Sequence, residues 1–314
     1  CVGWNRYGVT VAGSSSGMSG PGLDLLSTVY PLYYDKVSSV MYIGDYGNNR
    51  ILKWSLGATS GTIFAGGNGY GCAYNQFQDI YGIVMDSDGY LYVSDFSCNW
   101  ILKFPSDSNS TTMGILFINL TLTKRLFIDL LTNDLYVTTD TSVVYKISVQ
   151  NNGTIDKTII AGVYGSAGSR LNQLHSPIGV YYDYQTEYLY VADYGNHRIL
   201  RFPSNSTGGT NGTVVARITA ASGISSKKLN LPRDLIVDRN GIMYISDGGN
   251  NRVQQWLPGA TNGTTILGSS TGATGTGANR FNINQALAFD SLQNLIVADG
   301  NNNRVQFFNC TLIT

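Results

Sequence analysis

The sequence predicts an all-β chain: a six-bladed β-propeller, its ring closed by the N-terminal strand joining the last blade. Three observations carry this. A hairpin unit recurs six times along the 314 residues, two further strand-like runs flank most copies, and the outer run missing at the C-terminus stands at the N-terminus. Composition agrees. With 37 Gly, 21 Tyr and only 13% charged residues, the chain is built of buried strands and glycine turns, not helices or disordered tails.

The hairpin reads MYIGDYGNNRILKW (41–54), LYVSDFSCNWILKF (91–104), LYVADYGNHRILRF (189–202), MYISDGGNNRVQQW (243–256) and LIVADGNNNRVQFF (295–308), with a weaker copy LYVTTDTSVVYKIS (135–148). Each joins two apolar runs through a tight polar turn. A strand ending in Asp precedes each: YPLYYD, YGIVMD, RLFID, IGVYYD, DLIVD and ALAFD. A fourth strand follows the first five: GTIFAG, MGILFI, KTIIAG, VVARIT and TTILG. One domain therefore spans 1–314. Blade 1 covers about 28–66, blade 2 about 79–118, blade 3 about 124–162, blade 4 about 176–220 and blade 5 about 231–269. The inner strands of blade 6 lie at about 283–310, and its outer strand is GVTVAG (8–13).

The turn Asp-x-Gly-Asn-x-Arg in this hairpin resembles that of the NHL-repeat family, and the resemblance covers the whole chain. Asp45, Gly47, Asn48 and Arg50 match it, as do Asp193, Gly195, Asn196 and Arg198, and Asp247, Gly249, Asn250 and Arg252. The last blade keeps Asp299, Asn302 and Arg304 but has Asn301 for the glycine. Blade 2 keeps Asp95 but has Cys98 and Trp100, and blade 3 has Thr139 at the Asp position. Gly or Asn is expected to supply the positive φ of a tight turn, Asp to accept turn amides, and Arg to pair with a carboxylate. Such a motif identifies a fold better than a function.

In a propeller of this kind, the second-to-third-strand turn and the blade-to-blade loop share one face, here called upper; the other two connections lie on the lower face. Cys72 and Cys98 both fall on the upper face. Cys1 and Cys310 both fall near the lower edge of the last blade. The expected pairs are Cys1–Cys310 and Cys72–Cys98, the first pinning the ring closure. Seven Asn-x-Ser/Thr sequons occur, at Asn109, Asn119, Asn152, Asn205, Asn211, Asn262 and Asn309. Nearly all lie between predicted strands, and all but Asn119 fall on the lower or outer edge. N-linked glycans on a secreted, extracellular protein are the expectation, with any leader already removed.

Net charge is zero and basic residues are scattered, which leaves no electrostatic footprint for nucleic acid and makes RNA binding a weak alternative. No apolar run reaches the length of a membrane span. The run DFSCNWILKF is similar to the cysteine-bearing turn of peptidyl-amidoglycolate lyases, zinc-holding propellers of the same family. That resemblance implies a zinc-dependent lyase, but catalytic zinc takes about three protein ligands, and this chain has only His175 and His197. Asp35, Asp86, Asp129, Asp183, Asp238 and Asp290 recur at one blade position, as turn-capping residues do. A structural calcium ion in the channel is demanded by no sequence feature.

Recognition is the expected role: a non-enzymatic module for an extracellular protein or glycan, or a structural subunit that pairs with itself as a homo-oligomer or filament through its TLIT tail. The alternative is a metal-dependent lyase or lactone hydrolase. The short link at blade 3 predicts a notch in the upper rim, with Tyr81, Arg125, His175, Arg233 and Gln285 near the channel mouth as contact residues.

Overall fold

In the computed structural model, residues 3–150, 153–216 and 221–311 are described. Six four-stranded antiparallel sheets form a ring. Blade 1 comprises Val29–Asp35, Val40–Asp45, Arg50–Ser55 and Thr62–Gly66. Blade 2 comprises Ile80–Met85, Leu91–Asp95, Trp100–Phe104 and Ile115–Asn119; blade 3, Thr123–Ile128, Leu135–Thr139, Val143–Val149 and Ile155–Gly162. Blade 4 comprises Val180–Asp183, Tyr188–Asp193, Arg198–Pro203 and Thr213–Ala216, and blade 5, Pro232–Val237, Met243–Asp247, Arg252–Trp256 and Thr264–Gly268. Blade 6 takes Asn284–Phe289, Leu295–Asp299 and Arg304–Phe308 from the C-terminal end and Val9–Gly13 from the N-terminal end. The first strands contact one another around the ring and so surround the channel.

Closure is double. Val9–Gly13 pairs with Arg304–Phe308, and Gly3–Trp4 pairs with Cys310–Thr311. Cys310 is disulfide-bonded; its expected partner Cys1 lies outside the described residues, as do Asn152, residues 217–220 of the expected fourth strand of blade 4, and 312–314. Cys72 and Cys98 are bonded to each other.

The core consists of six inter-blade layers rather than one centre. Alternating side chains of each strand point to the two neighbouring blades, so the second strands of blades 1, 2, 3, 5 and 6 are buried along their whole length. The repeated aspartates do cap turns. Asp35, Asp129 and Asp183 each accept the amide two residues on, and Asp86, Asp238 and Asp290 accept two amides each. Each fixes the lower turn between first and second strands.

Candidate functional site

The recurring motif is a clamp on the blade-to-blade loop. In blade 1, Asp45 accepts the Ser27 amide, Asn48 Nδ2 and Arg50 Nε at 2.7–2.8 Å. Arg50 then donates its remaining nitrogens to the carbonyls of Pro21, Gly22 and Leu25, and Asn48 to Gly20. Arg198, Arg252 and Arg304 hold their own loops the same way. The four pairs are nearly solvent-free. Burial drives the four aspartate pKa values up, against the pull of the guanidinium and the donated hydrogen bonds.

One detail of the expectation is corrected. Positive φ falls not on the motif glycine but on the variable residue before Arg: Asn49, His197, Asn251 and Asn303. The glycine is needed for close approach, since a Cβ at Gly195 would stand 2.6 Å from the His175 ring. The left-handed residue also reaches across the seam. Asn303, Asn99 and Asn251 accept the amides of Thr28, Leu122 and Ile283 in the next blade, and His197 Nδ1 accepts that of Leu231 at 3.0 Å.

Where the motif is missing, its task is missing or done otherwise. In blade 2 the Cys72–Cys98 disulfide ties the loop, while Trp100 packs edge-on against Tyr74 within it. In blade 3 the link from Asn119 to Thr123 is three residues, too short to need a clamp. A small depression of about 90 Å³ lies beside it, lined by Asn119, Thr121, Thr141, Tyr145 and Tyr164.

At the upper mouth of the channel the first two blades present an aromatic shelf. Tyr30 stacks on Tyr81 at 5.3 Å and meets Tyr46 edge-on at 4.5 Å, and Tyr81 leans on Phe96 at 5.3 Å. All four are half-buried. The Tyr46 hydroxyl and the Ser97 hydroxyl both donate to Asp79. Burial, reinforced by Tyr30 and Asp79, pushes Tyr81 up to about 12, so its hydroxyl stays a donor at all physiological pH. Beside the shelf, Lys124 lies over the Phe96 ring at 5.9 Å and donates to Asp140 (2.6 Å) and Ser176 (2.7 Å). Burial opposes the Asp140 charge, yet Lys124 and Ser176 prevail and hold its carboxyl below the usual range. Arg233 lies over the Tyr194 ring at 5.2 Å and donates to Gln285 Oε1.

Of the five residues expected to make contacts, two are not free to do so. Arg125 and Gln285 are 6% and 3% exposed, because Arg125 of blade 3 reaches across the channel to the Gln285 carbonyl of blade 6 (2.9 Å) and lies 3.9 Å from Asp234 of blade 5. They form a bar across the channel below the mouth. Tyr81 and Arg233 are half-buried at the mouth, and His175 is exposed in the loop before blade 4. Among the described residues no three His, Cys, Asp or Glu side chains gather as metal ligands would. All six described sequon asparagines are exposed. Asn119 ends a strand rather than lying in a loop.

A family model for the NHL repeat matches residues 174–202. No characterised protein sequence matches the chain significantly. Solved structures share the fold at low identity. An auxiliary nutrient binding protein from Bacteroides ovatus superposes with a TM-score of 0.73 at 16% identity, over 98% of this chain and 77% of that one. A gluconolactonase from Xanthomonas campestris gives 0.66 at 13%, over 97% and 95%. A chain of the nidogen/laminin complex gives 0.56 at 17%, over 76% and 79%. Repeat, ring and clamp together make this chain a six-bladed β-propeller that carries an NHL repeat.

Proposed function

We propose that this protein is a secreted, N-glycosylated propeller that recognises an extracellular protein or glycan through its upper face and catalyses no reaction. The observation that carries this is the shelf of Tyr30, Tyr46, Tyr81 and Phe96, half-open at the channel mouth and faced by Lys124 and Arg233. Flat, partly wet aromatics beside cations suit a sugar ring or a peptide face. The sequons of the third-to-fourth-strand turns lie on the other side, so sugars there leave this face clear. Fold neighbours include a nutrient binding protein and a chain of the nidogen/laminin complex, which favours binding.

The test is a screen of the glycosylated protein against immobilised extracellular glycans and matrix proteins, beside the variants Tyr81→Ala and Arg233→Gln. Ligands whose binding falls at least tenfold in both variants support the reading; ligands indifferent to both refute it. The gluconolactonase neighbour favours a second reading, a metal-dependent lyase or lactone hydrolase. Stoichiometric zinc bound near His175 would establish it. Self-association as a homo-oligomer or filament is the remaining form of the binding role, and light scattering that shows only monomers excludes it.

A further inference from the structure

Five blades place a tyrosine at the same point of the second strand, facing the next blade: Tyr42, Tyr92, Tyr136, Tyr190 and Tyr244, each paired with a long polar residue of the third strand. Four of these rings meet another ring. Tyr42 meets Phe64, Tyr92 meets Phe117, Tyr136 stacks on Tyr182, and Tyr244 meets Phe289. Among the described residues Tyr190 has no ring partner, and a cleft of about 760 Å³ opens beside it between blades 4 and 5.

The cause lies in two short side chains. The residue bulged out of the fourth strand is Phe64, Phe117, Ile160 or Ile266 in blades 1, 2, 3 and 5, but Val215 in blade 4 and Val11 in blade 6, where Tyr34 stands across the seam. Across the seam, the first-strand position held by Tyr34, Met85, Ile128, Tyr182 and Phe289 is Val237 in blade 5. Val215 and Val237 fall at one seam.

The next seam shows what such a wedge accepts. Between blades 5 and 6, Trp4 comes in on the extended segment Gly3–Trp4, stacks on Phe289 at 6.1 Å and meets Tyr244 edge-on at 5.8 Å. At the empty wedge the walls add charge. Arg201 and Arg239 both line it, and the Nε of Arg201 is buried without a hydrogen-bond partner. Asp183 is the one carboxylate in the lining.

We propose that the wedge between blades 4 and 5 is a docking site for an extended segment of a partner protein, an aromatic side chain entering beside Tyr190 and an adjacent carboxylate meeting Arg201 and Arg239. The site lies among lower-face turns, apart from the upper mouth. Three probe peptides test it by calorimetry on the whole glycosylated protein: acetyl-Gly-Trp-Asp-amide, acetyl-Gly-Ala-Asp-amide and acetyl-Gly-Trp-Lys-amide. The first should bind one to one, at least tenfold tighter than the second and several-fold tighter than the third. Val215→Phe, which installs the side chain of blades 1 and 2, should abolish binding and keep or raise Tm. Should it fail to fold, Arg239→Gln, which removes one of the two cations of the lining, should weaken the first peptide several-fold and leave the third unchanged. Equal binding of the Trp and Ala peptides, or binding untouched by the filling variant, overturns the proposal. So does binding that appears only after enzymatic deglycosylation, since Thr213 completes the sequon of Asn211 and Thr261 directly precedes Asn262 and the cleft would then hold the chain's own sugar.

Discussion

Replacing Arg198 by Met tests the clamp most sharply. The variant loses the Nε bond to Asp193 at 2.6 Å and three donations to the carbonyls of Ser169, Arg170 and Gln173. Asp193 stays buried, 0% exposed, with only the His175 amide and Asn196 as donors. Stranding one partner of a buried ion pair costs about 3–5 kcal/mol. At roughly 2.1 cal/mol/K per residue, 314 residues give an unfolding entropy near 0.7 kcal/mol/K. The loss therefore lowers Tm by about 5–8 °C in differential scanning calorimetry. Hydrogen exchange should quicken in the loop 163–175 and leave blade 1 unchanged, because each clamp serves one loop. Arg198→Lys keeps the charge but not the fork and should fall between. A Tm shift under about 2 °C with unchanged loop exchange would refute the clamp.

Three further expectations follow from the same geometry. Removing the Cys72–Cys98 bond by a double Ala substitution frees a loop of sequence separation 26; the chain-entropy relation gives about 3.5 kcal/mol, readable in guanidinium unfolding, and a loss below about 1 kcal/mol would contradict it. His197 accepts the Leu231 amide through Nδ1 at 3.0 Å, the place that asparagine takes at the other seams. His197→Asn, the residue of the other seams, should match the wild type in guanidinium unfolding, and His197→Ala should lose on the order of 1 kcal/mol; an alanine variant as stable as the wild type speaks against the seam bond. Burial pushes Tyr33, Tyr81 and Tyr244 up to about 12, so each favours the fold below pH 10 and that stability is lost as pH rises towards 12. Absorbance at 295 nm should show these rings ionising only as the protein unfolds, and their early ionisation in the folded state would be the contrary result.

Ring architecture was legible because each blade repeats its own pattern, and the shortage of one outer strand pointed straight to residues 8–13. The disulfide Cys72–Cys98 was legible from the face each connection must occupy. The clamp was only half legible: Asp and Arg stand five residues apart, but the carbonyls Arg50 holds lie 25 to 29 residues upstream, where loop sequence carries no signal. The burial of Arg125 and Gln285 is not legible in the sequence, because their bond spans 160 positions and the width of the channel. The wedge at Tyr190 was invisible in any one repeat. It arises only where the short Val215 of one blade meets the short Val237 of the next.

The proposed recognition role requires sugars on one side of the ring and a bare face for contact on the other. Glycopeptide mass spectrometry of the protein recovered from its natural source measures this directly. Occupancy at Asn109, Asn205, Asn211, Asn262 and Asn309, the described sequons of the lower and outer edge, is the predicted result. Unmodified asparagine at all five would contradict it.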